Sequence, residues 1–208
     1  MPRLYIIAGC NGAGKTTASY TILPDMLNCD EFVNSDEIAK SLSPNNPYES
    51  AIRASRLMME RIDELIDKGG TFGVETTLAT RTLVRVIADA QQKGYVVTLV
   101  YFWLKMPELA VERVKLRVEA GGHYVPEATI LRRYDVGISN LFNLYIPVCD
   151  YWIMIDNSNN PSTIIAEGGT SVVTKIHNKT LYNLLINYER TRDERTQRDY
   201  SSRFEHHF

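Results

Sequence analysis

One stretch constrains the fold of this 208-residue chain more than any other. Gly9-Cys10-Asn11-Gly12-Ala13-Gly14-Lys15-Thr16 fits the spacing G-x-x-x-x-G-K-[ST]. The run before it, Leu4 to Ala8, is continuously apolar and reads as a short buried strand. A helix is predicted from Lys15 to Leu27. In that context the glycines let the backbone curl until several N–H groups face one phosphate, and the helix N-terminus adds partial positive charge. Lys15 would place a full charge on the terminal phosphates, and the Thr16 hydroxyl could ligate Mg²⁺. Gly9, Asn11, Gly12, Ala13, Gly14, Lys15, Thr16 and the following Thr17 form the nucleotide-binding set. Cys10 reads as a small spacer.

Downstream, strands and helices alternate. Glu31–Asn34 reads as a weak second strand, with Ser35 as N-cap of a short helix Asp36–Leu42. Ser43–Pro47 reads as a loop. Apolar spacing near 3.6 residues predicts a helix over Tyr48–Asp67, stopped by Gly69-Gly70. Strands are predicted at Thr71–Val74, Tyr95–Leu104 and Tyr151–Ile155. Helices are predicted at Thr80–Lys93, Pro107–Ala120, Glu127–Leu144 and Asn178–Tyr188. Ile164–Ala166 and Val172–Ile176 flank Gly168-Gly169, which suggests a late hairpin. Residues 189–208 are polar and charge-balanced, a solvated helix end or tail beyond a domain at 1–188. The expected fold is α/β: a mainly parallel sheet flanked by helices, of the P-loop kinase-like kind.

Charge and cysteine content exclude several classes. Lys and Arg number 23 against 25 Asp and Glu, a net charge of −2, so no basic excess invites nucleic acid or an anionic membrane. No apolar run reaches the length of a membrane-spanning helix. Three scattered cysteines, without C-x-x-C, fit the cytoplasm and neither a disulfide framework nor a zinc site.

The phosphate loop is not that of a GTPase. The Asn178-Lys179 pair is followed by Thr180-Leu181, so the guanine-reading N-K-x-D is missing. A small-molecule kinase fits better. Arg113 and Arg117 are four apart and share a helix face. Gly121-Gly122-His123 then forms a hinge, and Arg132-Arg133 lie on the next helix. Such a flap could neutralise charge on a moving phosphoryl group and exclude water; the other reading is a solvated charged face. Asp36 follows the second strand, where it is either a general base on an acceptor hydroxyl or a helix N-cap. Glu75 follows the third, where it binds the acceptor, reaches Mg²⁺ through water, or caps a helix. Thr76 and Thr77 add hydroxyls for a substrate. His123 touches a phosphate or packs its loop. Asp156-Asn157-Ser158 ends the last core strand, where it meets the adenine or forms a plain turn.

Together these motifs resemble the chromosomal zeta-toxin-like P-loop kinases of bacteria. The resemblance rests on Gly9–Thr17, Phe32–Ala39, Phe72–Leu78, the run from Arg113 through Gly121-Gly122-His123 to Arg132-Arg133-Tyr134, and Asp156-Asn157-Ser158. It implies ATP- and Mg²⁺-dependent phosphorylation of a small acceptor, a hydroxyl of a UDP-amino sugar in the plasmid-borne toxins. By motif match Lys15 holds phosphates, Thr16 holds Mg²⁺, Asp36 is the base and Glu75 binds the acceptor. Arg113, Arg117, Arg132 and Arg133 clamp the γ-phosphate. Where the plasmid toxins carry a glycine-containing turn after the glutamate, this chain reads Thr76-Thr77-Leu78-Ala79-Thr80-Arg81, and Arg81 is the arginine carried over for substrate. Two other readings stand beside the kinase: an ATP-binding module that engages a protein partner such as an antitoxin, and a plain ATPase.

Overall fold

The computed structural model describes residues 1–21, 24, 29, 31–43 and 49–204. Among these described residues seven strands form one sheet: β1 (Arg3–Ala8), β2 (Phe32–Val33), β3 (Phe72–Thr76), β4 (Val96–Trp103), β5 (Tyr151–Asp156), β6 (Thr163–Gly169) and β7 (Val172–Ile176). Their order is β2-β3-β1-β4-β5-β6-β7, with the first five parallel and the last two antiparallel. The helices are α1 (Lys15–Thr21), α2 (Ser35–Leu42), α3 (Ala51–Asp67), α4 (Thr82–Gln92), α5 (Pro107–Glu119), α6 (Glu127–Asn140) and α7 (Lys179–Phe204). The architecture is the α/β fold expected from the pattern, with a hairpin at one sheet edge.

The sheet places the functional loops on one side. β1 is the middle one of the five parallel strands, and its Leu4, Ile6, Ile7 and Ala8 are wholly buried, as suits a parallel strand covered on both faces. The chain order reverses beside it, with β3 on one side and β4 on the other. Ligands of open parallel sheets bind outside the carboxyl ends of strands at such a reversal. The segments after β1, β2, β3 and β5 all emerge at that edge.

Local differences from the sequence reading have physical causes. The N-cap of α2 is Asn34, whose Oδ1 accepts from the Asp36 N–H at 2.9 Å, so neither Ser35 nor Asp36 caps the helix. The Asp36 carboxylate is thereby left to face the cleft. Glu75 lies inside β3 rather than after it, and Arg81 takes the N-cap position of α4. The α-helix from Glu127 ends at Asn140 and continues as a π-turn over Leu141–Tyr145. Gly168-Gly169 belongs to β6 instead of the hairpin turn, paired with Trp152 and Tyr151 on one side and with Val173 and Val172 on the other; a Cβ at Gly168 would strike the Val172 carbonyl and the Trp152 ring. Thr170-Ser171 makes the turn, with Ser171 at φ 60°. The last helix runs on past Tyr188 to Phe204. Residues 22, 23 and 25–27 of the first expected helix, residues 44–47 of the expected loop and Tyr48 lie outside the described residues.

Candidate active site

A cleft of about 580 Å³ opens at the carboxyl edge of the sheet. Its floor is the glycine-rich loop between β1 and α1. Gly9, Gly12 and Gly14 have φ of 144°, 81° and 88°, a conformation that only glycine adopts without strain. Gly14 also passes so near the Asn157 amide that a side chain would not fit. Ala13 is wholly buried under the loop. Asn157 braces it from the end of β5, its Nδ2 donating to the Ala13 carbonyl at 2.8 Å while its own N–H donates to the Trp103 carbonyl.

Lys15 closes the loop on itself. Nζ donates to the Gly9 and Cys10 carbonyls at 2.9 and 3.0 Å. Burial holds its pKa below the ordinary lysine value, while Cys10, Glu75 and Asp36 pull it back up. Cys10 is buried and its thiol is pushed up to about 11 by desolvation, which makes it a spacer and not a nucleophile.

Glu75 is the most unusual group in the cleft. The parallel register sets it level with Ile7, one step below the loop. It is 5% exposed. Oε2 accepts from the Thr16 hydroxyl at 2.9 Å, and among the described residues Oε1 makes no hydrogen bond of regular geometry. Burial raises its pKa, opposed by the Lys15 charge and by the Thr16 and Ser19 hydroxyls. An unpartnered buried carboxylate oxygen is costly unless something fills its coordination. Two hard oxygen donors beside a phosphate loop fit a magnesium ion that draws its remaining ligands from phosphates and water. Among the described residues no cluster of three or more acids, histidines or cysteines offers a separate metal cage.

Asp36 is exposed in the first turn of α2 and faces this cleft. A smaller pocket of about 100 Å³ shares Ser35, Asp36, Ser55 and Arg133 with it and extends toward His123 and Tyr124. Thr17, Thr76 and Thr77 line the main cleft, and the Thr76 hydroxyl also accepts from the Leu78 N–H.

The flap arginines divide by helix phase. Arg113 and Arg117 lie three and seven residues after buried Ala110 and reach the cleft. Arg113 Nη2 donates to Ser158 O, and Arg117 Nη2 to His123 O, each at 3.0 Å. His123 thus packs the hinge through its carbonyl. On α6 the buried face carries Ile130, Tyr134, Gly137 and Ile138. Arg133, three after Ile130, flanks that face, lines the cleft and donates to Asn11 Oδ1 at 3.0 Å. Arg132 is turned about 100° further round. It is exposed and lies outside the cleft lining. Arg81 is exposed and likewise outside the lining. Ser55, Met58 and Met59 of α3 also line the cleft; the sequence does not mark them, because the methionines read as helix core and Ser55 as a solvent-facing position.

Residues 1–142 match the Zeta toxin family. The chain belongs to the Zeta toxin family. An uncharacterized protein of Haemophilus influenzae is 30% identical over 126 residues, covering 61% of this chain and 88% of the relative. Solved structures share the family fold at lower identity. The AvrRxo1-ORF1:AvrRxo1-ORF2 complex with sulphate ions superposes with a TM-score of 0.71 at 17% identity, over 89% of this chain and 63% of that one. The complex solved with ATP gives 0.68 at 18%, with the same coverage. This chain therefore spans less than two thirds of the matched chain in those complexes. The PezAT chromosomal toxin-antitoxin system of Streptococcus pneumoniae gives 0.62 at 14%, over 94% and 87% of the two chains.

Proposed function

We propose that this Zeta toxin family member is an ATP- and Mg²⁺-dependent phosphotransferase. It moves the γ-phosphoryl group of ATP to a hydroxyl of a small acceptor such as a UDP-amino sugar. The observation that carries this reading is the convergence of Lys15, Glu75 and Asp36, from three separate segments, on one cleft at the glycine-rich loop. The neighbour solved with ATP supports the choice of nucleotide.

The loop amides and Lys15 bind the β and γ phosphates, with Lys15 released from the Gly9 and Cys10 carbonyls as phosphate oxygens replace them. Thr16 and Glu75 would hold Mg²⁺, which would supply charge neutralisation across the phosphates. Asp36 accepts the acceptor's hydroxyl proton. That oxygen bonds to γ-phosphorus while the bond to the ADP oxygen breaks. Asp36 mainly orients the hydroxyl, since little proton transfer is needed in a loose transition state. Thr76 and Thr77 position the acceptor. Arg113 and Arg117, with Arg133 in the place expected for Arg132, spread the developing charge and close out water. Asn157 supports nucleotide binding by bracing the loop.

Phosphate transfer from γ-labelled ATP to a panel of UDP-sugars tests this. The expected result is transfer that Lys15→Ala lowers at least about a hundredfold, because a lost charge at the moving phosphoryl removes several kcal/mol. Equal transfer by that variant overturns the assignment. Brisk hydrolysis, undiminished by every sugar, makes the protein a plain ATPase instead. The toxin-antitoxin system and the two-protein complex among the neighbours support an antitoxin partner. Co-purification from a co-expressing operon checks it. The use of ATP and nucleotide sugars suits a cytoplasmic activity. No described helix is long and apolar enough to cross a membrane.

A further inference from the structure

We infer that Asn11 is a positioning residue whose side chain, rather than contacting nucleotide, holds Arg133 over the loop for the terminal phosphate of ATP; this rests on the kinase reading above. Asn11 sits in the middle of the glycine-rich loop and is only 4% exposed. Its side-chain oxygen accepts from Arg133 Nη1 at 3.0 Å, across 122 positions of sequence. Both residues line the cleft. The bond therefore joins the phosphate loop directly to the flap helix α6.

The choice of an amide has a physical consequence. A carboxylate at this position would hold the guanidinium harder, but it would cancel its charge and set a negative group beside the incoming phosphates. A neutral amide oxygen orients the same fork without setting a negative charge of its own beside the phosphates. The arrangement is fixed from the other side by Tyr134, the next residue on α6, which is buried against Trp103 and Leu104. Arg133 thus extends from a well-anchored helix to the loop, and its contact with Asn11 holds Nη1 there. Loss of one close positioning contact costs on the order of tenfold in affinity for the group positioned.

The experiment measures affinity for a non-hydrolysable imido analogue of ATP and for ADP, with magnesium, by calorimetric titration of the full chain. The ratio of the two affinities isolates the terminal phosphate and needs no acceptor. The expected result is a clear preference for the triphosphate in the native chain, reduced about tenfold by Arg133→Ala and equally by Asn11→Ala. The double variant falls no further than either single one. Asn11→Asp keeps the size of the side chain and is expected to lower the ratio as well, through charge. Native-like melting of both Asn11 variants shows that the loop still folds. A ratio unchanged in Asn11→Ala, or losses that multiply in the double variant, overturns the role of Asn11 while leaving the kinase reading intact. A native chain that binds neither nucleotide overturns both.

Discussion

The Thr16 hydroxyl donates to Glu75 Oε2 at 2.9 Å and thereby ties the first turn of α1 to the strand beside it, 59 positions away. The second carboxylate oxygen is buried and, among the described residues, makes no hydrogen bond of regular geometry. This is an arrangement built against stability and in favour of a ligand, since a buried acid without full hydrogen bonding is kept only where something else satisfies it.

Glu75→Gln should therefore separate stability from activity. Burial raises the Glu75 pKa above its ordinary 4.5, so the folded chain holds a proton that the unfolded chain releases. Stability contributed by this group is present below that value and is lost as pH rises through the raised one. Melting followed across that interval and up to neutral pH should show the native chain losing ground to Glu75→Gln as pH rises. Transfer activity should drop at least about a hundredfold in the variant, as its cation loses a charged ligand. Parallel melting curves at every pH would remove the buried-acid argument.

Asp36→Asn changes charge without changing shape. The Asn34 cap and the α2 helix should survive, because the capping bond is made to the backbone N–H of residue 36. Nucleotide affinity should stay close to native, and transfer to the acceptor should fall by about 10²–10⁴, the range of a lost general base. If transfer persists, another group takes the proton.

The two flap helices give a paired comparison. Arg117→Ala should lower transfer by more than about tenfold, because Arg117 lines the cleft with Nη2 docked on His123 O and, among the described residues, with Nε buried and without a hydrogen bond. Arg132→Ala and Arg81→Ala should each stay near the native rate, since both lie outside the lining. Steady-state rates for the three variants decide the matter, and a large loss in Arg132→Ala would mean the flap turns in the working enzyme.

Tyr134→Phe tests what fixes α6. Its hydroxyl accepts from Trp103 Nε1 at 3.1 Å and donates to Leu104 O at 2.6 Å, both within the core. Removing it strands a buried donor and acceptor, at a cost of about 1–3 kcal/mol. Urea unfolding should show that loss as a lower midpoint with an unchanged slope.

The phosphate loop is legible in the amino acids alone because its chemistry is local. A glycine spacing, a lysine and a threonine carry their meaning within eight consecutive residues, Gly9 to Thr16, and the alternation of apolar runs settles the class of fold. The order of strands, the hairpin turn at Thr170-Ser171 and the burial of Glu75 were another matter, because each depends on which segments pack together. Whether Arg132 or Arg133 faces the cleft illustrates the division. The chain sets two arginines side by side on a helix, but a separation of about 100° leaves the choice to whichever face the core takes. Burial of Ile130 and Tyr134 took that face and carried Arg133 to Asn11.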